Sequence, residues 1–278
     1  MRPIIKTNSI IKKALLRFQF VFSASGRIGI RSRFLQIFLN YRSSGERKKI
    51  IIIIPSFNDG DRLLMLCEYL KSFDLNFIVL IDSKSSEDHI AFVKSQFYPC
   101  EVVNNSQNIA EGLFIDFCSR RSEGIFFRLD TDEIPNKKLV DFIRDGVCMG
   151  DYAILACRRD WLIGNSLDGQ SIGRVKILGP DYQWRLFDAR KVFAIAKIHT
   201  SGVGIKHGLL GHLGKEYRII HLEKLLSRDE SKLQKYLSHG DKYQAINKLY
   251  YNQSLRACDV SSISIDDKKL VIRYLQNK

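Results

Sequence analysis

The chain has 278 residues, of which 45% are apolar and 27% charged, enough for one large domain with a sizeable buried core. That balance excludes a disordered chain, and six cysteines with no C-x-x-C pair exclude a disulfide-stapled miniprotein and point to reduced core thiols. The net charge of +14 is concentrated: residues 1–49 carry +11, and residues 50–278 only +3.

Residues 1–48 form a basic segment of their own. Ile11, Ala14, Leu15, Phe18 and Phe22 recur at helical spacing, with Lys12, Lys13 and Arg17 between them. Phe34, Ile37 and Phe38 repeat the pattern beside Arg31 and Arg33. Such a basic amphipathic helix can lie on an anionic membrane surface, or pack on its own domain with the basic face in solvent. Nothing in the body resembles a nucleic-acid module, so nucleic acid is not expected as a partner. No run reaches the roughly 20 apolar residues of a membrane span. Charge is scattered through the first 50 residues, which fits poorly with a cleaved signal, and a cytoplasmic location is expected.

A buried-type strand over 49–54 opens the body, and Pro55-Ser56-Phe57-Asn58 turns the chain. Leu63, Leu64, Cys67, Leu70 and Phe73 predict a helix. Residues 77–81 predict a strand that ends at Asp82, and a second helix begins near Ser86. A short strand over 101–103 follows, then a helix marked by Ile109, Leu113 and Phe117. A strand over 125–129 leads into Asp130-Thr131-Asp132-Glu133, and Asn136 caps the next helix. Four strand–helix alternations predict a doubly wound α/β sheet, mostly parallel, with helices on both faces. Ligands of such sheets bind beyond the carboxyl ends of the strands, where Asn58, Asp82 and the 130–133 cluster converge.

The second half reads as strands over 152–157, 182–187 and 218–222. Residues 164–180 are loop-like, and the glycine-rich region from Gly202 to Gly214 is flexible, with His207–His212 either a mobile flap or a plain loop. From Ser227 to about Tyr250 the pattern is helical. The expected divisions are 1–48, 49–150, 151–225 and 226–278, the last a helical end.

Two carboxylates two residues apart, just past a strand end, can share a divalent cation and its bound phosphates. A solvated acidic turn in which Asp132 or Glu133 starts the next helix is the plainer alternative. Asp160 and Asp181 are otherwise loop carboxylates, and His199 a structural histidine. Arg185, in Trp184-Arg185-Leu186, is either a bidentate phosphate donor or a paired strand arginine.

Ile51-Ile-Ile-Ile-Pro55-Ser-Phe-Asn58 resembles the opening strand and turn of family-2-type glycosyltransferases with the GT-A fold, such as bacterial lipopolysaccharide and capsule enzymes. Ile78-Val-Leu-Ile-Asp82 resembles their second strand, Asn105-Ser-Gln-Asn108 the polar segment before their third helix, and residues 126–133 their D-x-D strand. The resemblance runs in order from about Lys49 to Pro135. It continues more weakly through 184–187, 198–199 and 220–222.

It implies a nucleotide diphosphate sugar as donor and a glycan or lipid-linked acceptor, with inversion at the anomeric carbon and a general base that deprotonates the acceptor hydroxyl. Asp82 would read the base, with Ser56, Asn58 and Asn108 bordering the pocket. Asp130 would meet the ribose or a metal-bound water. Asp132, with Asp130 and a late His221, would hold Mn²⁺ or Mg²⁺, which neutralises the leaving diphosphate. The base is left open among Asp160, Asp181 and His199. His199 is followed by Thr200, where related bacterial enzymes show a His-Glu pair. With residues 1–45 on the membrane, the enzyme would sit peripherally at its inner face.

Overall fold

Five consecutive isoleucines set the centre of the molecule. β-Branched side chains are stiff at χ1 and fit a pleated surface, so Ile50–Ser56 forms strand β1. Its alternate residues enter opposite cores: Ile50, Ile52 and Ile54 join one, and Ile53 the other. The same parity divides Val79 and Ile81 from Leu80 in β2 (Phe77–Asp82). It also divides Ile125 and Phe127 from Phe126 in β4 (Ile125–Arg128). Continuous apolar runs are therefore strands buried on both faces, as the sequence predicts.

The computed structural model describes residue 41 and residues 45–105, 112–114, 117, 120–163, 173–175, 181–194, 203–222, 260–262 and 264–276. In chain order, β1 leads to helix α1 (Gly60–Lys71), β2, helix α2 (Glu87–Ser95) and the short strand β3 (Cys100–Val103). β4 is followed by β5 (Glu133–Pro135), helix α3 (Lys137–Asp145) and the long strand β6 (Tyr152–Ile163). Then come β7 (Gly173–Val175), β8 (Asp181–Asp188), a 3₁₀ turn (Ala189–Lys191), β9 (Val192–Ala194) and β10 (Val203–Ile205). β11 (Leu209–His212), β12 (Arg218–His221), β13 (Val260–Ser262) and helix α4 (Ile265–Gln276) complete the order.

The main sheet runs β13-β7-β6-β8-β4-β1-β2-β3. From β4 to β3 it is parallel. β8 is antiparallel to both β4 and β6. β11 and β12 follow one another along β6, each parallel to it, and β12 also pairs antiparallel with β5. One face is covered by residues of α1, α2, α3 and α4. The other is covered by the helical residues Leu113, Phe114 and Phe117 and by the β9–β10 hairpin. The α/β class, with helical residues against both faces of the sheet, is as expected.

Local chemistry accounts for the helix limits. Ser86 caps α2, its Oγ accepting from His89 N at 3.2 Å, and Asn136 caps α3 through Leu139 N at 3.1 Å. Gly146 ends α3 at φ 78°, where a Cβ would lie 2.6 Å from the Lys48 carbonyl oxygen, so only glycine fits.

Three expectations change. The glycine-rich stretch 202–214 contains strands β10 and β11, and its Val203, Ile205 and Leu210 are buried, which opposes a mobile flap. Within 164–180, Gly173–Val175 forms a strand. The C-terminal region holds β13 as well as a helix. The basic segment 1–40, the helix from Ser227 to Tyr250, Asn108 and His199 lie outside the described residues. Cys67 and Cys157 are buried core thiols, and burial pushes the Cys67 thiol up to about 12. Among the described residues no helix is long and apolar enough to cross a membrane.

Asp188 closes β8 with no exposed surface. Its carboxylate takes Arg190 Nε at 3.0 Å, Nη2 at 2.7 Å and the Arg190 backbone N at 3.1 Å, fixing the 3₁₀ turn. Burial alone would raise this carboxyl, but the Arg190 hydrogen bonds outweigh it and hold it below the ordinary carboxylate range. A depressed carboxyl stabilises the fold above its unfolded pKa of about 4, and that stability is lost as pH falls through the lower folded value. Asp188→Asn should therefore flatten the pH dependence of urea unfolding below about pH 4. An unchanged acid limb would remove Asp188 as its cause.

Candidate functional site

In the parallel half, β2 and β3 lie to one side of β1 and β4 to the other, so the strand order reverses between β1 and β4. The crevice beyond the carboxyl ends at such a reversal is where open α/β sheets bind ligands. Ser56 to Asp59 leave β1 there, Asp130 to Asp132 leave β4, and Asp82 ends β2.

The first wall is a latch between the β1 turn and α2. Asn58 adopts φ 54°, a left-handed conformation that asparagine tolerates better than most residues. Its Oδ1 accepts from Ser86 N at 3.0 Å and from Ser86 Oγ at 3.2 Å. Ser56 is buried, its Oγ 3.0 Å from His89 Nε2. Desolvation lowers the His89 pKa, although the nearby Asp59 carboxylate opposes the shift, so the imidazole is neutral near pH 7. Asp59 Oδ2 accepts from Phe57 N at 2.9 Å. Burial pushes the Asp59 carboxyl up, and the like charge of Asp132 adds to the shift. Ser56 and Asn58 thus shape the wall by holding β1 to α2. Phe57, 48% exposed between them, is the aromatic surface the wall offers, and the sequence reading did not single it out.

Asp82 is buried at the end of β2. Its Oδ1 accepts from Lys84 N at 2.9 Å and its Oδ2 from Asn105 Nδ2. Each carboxylate oxygen has a second lone pair, so a base N–H could still be received. Asn105, from the segment after β3, orients this carboxylate.

The floor is a network of buried charge. Asp130 takes Arg128 Nε at 3.0 Å and Arg185 Nη2 at 2.8 Å. The same Arg185 nitrogen donates to Glu133 Oε1 at 2.6 Å, and Arg159 reaches that oxygen at 3.2 Å. Glu133 Oε2 accepts from the Asp130 backbone N at 3.2 Å. Arg185 is 5% exposed and Glu133 fully buried. Burial alone would raise Asp130, but the charges of Arg128 and Arg185 hold it well below the usual carboxylate range. Arg185 is therefore committed to carboxylates in this structure, the paired-arginine alternative, and not aimed at a phosphate. Glu133 is the first residue of β5 and starts no helix, since α3 begins at its Asn136 cap.

Asp132 turns away from that network. Its Oδ2 lies 3.5 Å from His221 Nε2, and both residues are buried. Leu222 N donates to the Asp132 carbonyl at 2.7 Å, tying the end of β12 to the loop after β4. A gap of 3.5 Å is longer than a good hydrogen bond. Adjacent ligands of an octahedral cation, each bound at about 2.0–2.2 Å, lie about 3 Å apart, so these two side chains would have to close up slightly to share one. Among the described residues no group of three or more His, Cys, Asp or Glu side chains is arranged to hold a metal. One carboxylate and one imidazole fit Mn²⁺ or Mg²⁺, which fill their remaining positions with water or substrate phosphates. Asp130, with an arginine on each oxygen, is poorly disposed to join them.

Of the candidate bases, Asp160 is buried in β6 with Arg158 Nε on Oδ1 at 3.0 Å and Arg218 Nη1 on Oδ2 at 2.9 Å. Both oxygens carry guanidinium partners, which weakens a base. Asp181 is the first residue of β8 and lies across from Arg159 in the β6 register. Glu133, Arg159 and the Asn58–Ser86 latch were missed. An arginine inside the apolar run 184–187 was the available signal that a buried carboxylate had to exist.

No protein-family model and no curated protein matches the sequence. Solved structures share a distant outline. A 4-diphosphocytidyl-2C-methyl-D-erythritol synthase is 13% identical with a TM-score of 0.41, over 70% of this chain and 99% of that one. TarS from S. aureus is 11% identical with a TM-score of 0.38, over 63% of this chain and 37% of that one. Its residues 1–349 match at 11% identity and a TM-score of 0.37, over 83% of this chain and 71% of that one.

The Arg185 network yields a stability prediction. Arg185→Met leaves Glu133 buried with one guanidinium fewer and should cost about 3–5 kcal/mol in urea unfolding. Adding Glu133→Gln should return part of that loss, because the stranded charge goes too. A single-variant loss below about 1 kcal/mol would mean the network is not what holds β4, β5, β6 and β8 together.

Proposed function

We propose that the protein is a metal-assisted glycosyltransferase of the GT-A, family-2-like type. It moves a sugar from a nucleotide diphosphate sugar to a glycan or lipid-linked acceptor. The observation that carries this reading is the buried Asp132–His221 pair, 3.5 Å apart beyond the carboxyl end of β4 and beside the reversal of strand order.

Each wall has a task in this reading. Asp82, held by Asn105, receives an N–H of the base, and Phe57 offers an aromatic face to the same moiety. Ser56 and Asn58 keep that wall closed through His89 and Ser86. Asp132 and His221 would hold Mn²⁺ or Mg²⁺, which supplies Lewis-acid neutralisation of the departing diphosphate. Asp130 stays ionised between Arg128 and Arg185, an acceptor for the ribose hydroxyls. The base that accepts the proton of the acceptor hydroxyl is Asp181 or His199, with inversion the expected outcome. The basic residues 1–45 dock on anionic membrane at its inner face and bring the enzyme to a lipid-linked acceptor.

A thermal-shift screen of nucleoside diphosphates and nucleotide sugars, with and without Mn²⁺, tests the donor. A ligand at about 100 times its Kd should add about 2.7 kcal/mol of stability. One nucleotide family should stabilise the protein only with Mn²⁺, and Asp132→Asn should abolish that shift and sugar transfer. Asp132→Asn with wild-type turnover would refute the metal role. No shift with any nucleotide in the folded protein would favour a non-catalytic membrane-docking domain. For the segment, deletion of residues 1–45 should release the protein from vesicles containing anionic lipid without unfolding it. Continued sedimentation of the truncated protein would rule the segment out as the anchor.

A further inference from the structure

We infer that helix α4 is a positioning element for the Asp132–His221 pair, gripping at once the strand that carries the histidine and the loop that carries the aspartate. The inference rests on the proposed metal role of that pair.

Asp267, Val271 and Tyr274 fall at i, i+4 and i+7 of α4 and so share one face. All three are buried, with Val271 and Tyr274 fully enclosed. The first turn is pinned at Ser264, whose Oγ accepts from Asp267 N at 3.1 Å and whose carbonyl accepts from Lys268 N at 3.0 Å. Asp267 Oδ2 accepts from Arg218 Nη2 at 2.7 Å, and Arg218 Nη1 donates to Asp160 at 2.9 Å. The Arg218 backbone exchanges two further bonds with Asn136, at 2.9 and 3.1 Å. Arg218 opens β12, a strand of only four residues, and His221 closes it. The start of β12 is thereby fastened to α4, β6 and the cap of α3.

The other end of the shared face meets the aspartate. Tyr274 Oη donates to the Thr131 carbonyl at 3.4 Å, one residue before Asp132. Its ring packs edge-on to Tyr69, centroids 5.9 Å apart, and Tyr69 Oη donates to the Pro135 carbonyl at 2.9 Å. The segment from Thr131 to Pro135 is thus held at both ends by two stacked tyrosines. One rigid helix therefore spans the donor carboxylate and the donor imidazole, which lie 89 residues apart in sequence.

Groups that orient metal ligands from behind commonly change metal affinity by about 10- to 100-fold when removed. The test measures Mn²⁺ binding to the full chain by electron paramagnetic resonance of free Mn²⁺, beside metal-free melting temperatures. Asp267→Asn with Tyr274→Phe should raise the Mn²⁺ Kd about tenfold, and Tyr274→Phe alone, which removes one oxygen, about two- to threefold. Ile272→Gly, off the shared face, should lower the melting temperature through lost helix propensity while the Kd stays within about twofold. Should the double variant fail to fold, Tyr274→Phe and Asp267→Asn singly carry the test.

A wild-type Kd in the Asp267 and Tyr274 variants overturns the inference, and the metal reading survives if Asp132→Asn loses Mn²⁺. An equal loss of affinity in Ile272→Gly overturns it too, because general loosening of the helix would then account for the effect. Wild-type Mn²⁺ binding by Asp132→Asn overturns the metal reading and the inference with it.

Discussion

Arg185 enters the sheet between Trp184 and Leu186, and an ionised guanidinium in so dry a place must be neutralised where it stands. The chain meets that demand with Glu133 and Asp130, one from β5 and one from the loop that precedes it. Both carboxylates are thereby tied to β8, and Arg159 ties Glu133 to β6 as well. The path of the backbone after β4 follows from these attachments. With Asp130 and Glu133 held inward, Asp132 between them faces His221 at the end of β12. The fold's buried electrostatics and its candidate chemistry are therefore one construction.

The division of labour within D-x-D follows. Two carboxylates in one tripeptide look equivalent on paper, yet their surroundings differ. Asp130 has two guanidiniums and a strongly depressed pKa, whereas Asp132 faces an imidazole. A group already neutralised by cations attracts a further cation weakly, so environment separates two residues of the same kind into a carboxylate committed to arginines and one that faces an imidazole.

Much of this was legible in the sequence, for identifiable reasons. The isoleucine run, the strand ending at Asp82, the Ser86 start and the Asn136 cap all rest on local rules that tertiary contacts did not override. His221 was picked out as a late ligand, and it does face Asp132. What stayed hidden depends on contacts across sequence. Nothing near Arg185 names Glu133 as its partner, 52 residues away. Asn58 looked like a pocket residue because the left-handed turn that aims it at Ser86 leaves no mark beyond the residue itself. The stretch from Gly202 to Gly214 misled because glycine density suggested a loop, while Val203, Ile205 and Leu210 supplied enough burial for two short strands.

The antiparallel strand β8 has a consequence for how such a site can change over evolution. From β4 to β6 the chain direction reverses twice, once on entering β8 and once on leaving it. Two reversals restore the original sense, so β6 and its parallel neighbour β12 point the same way as β4. That even count is why His221 emerges on the same rim as Asp132. Losing β8, or adding one more antiparallel strand beside it, would make the count odd and send the histidine to the opposite rim, some four residues of strand away. Keeping both residues on one rim therefore requires an even number of antiparallel pairings between β4 and β12.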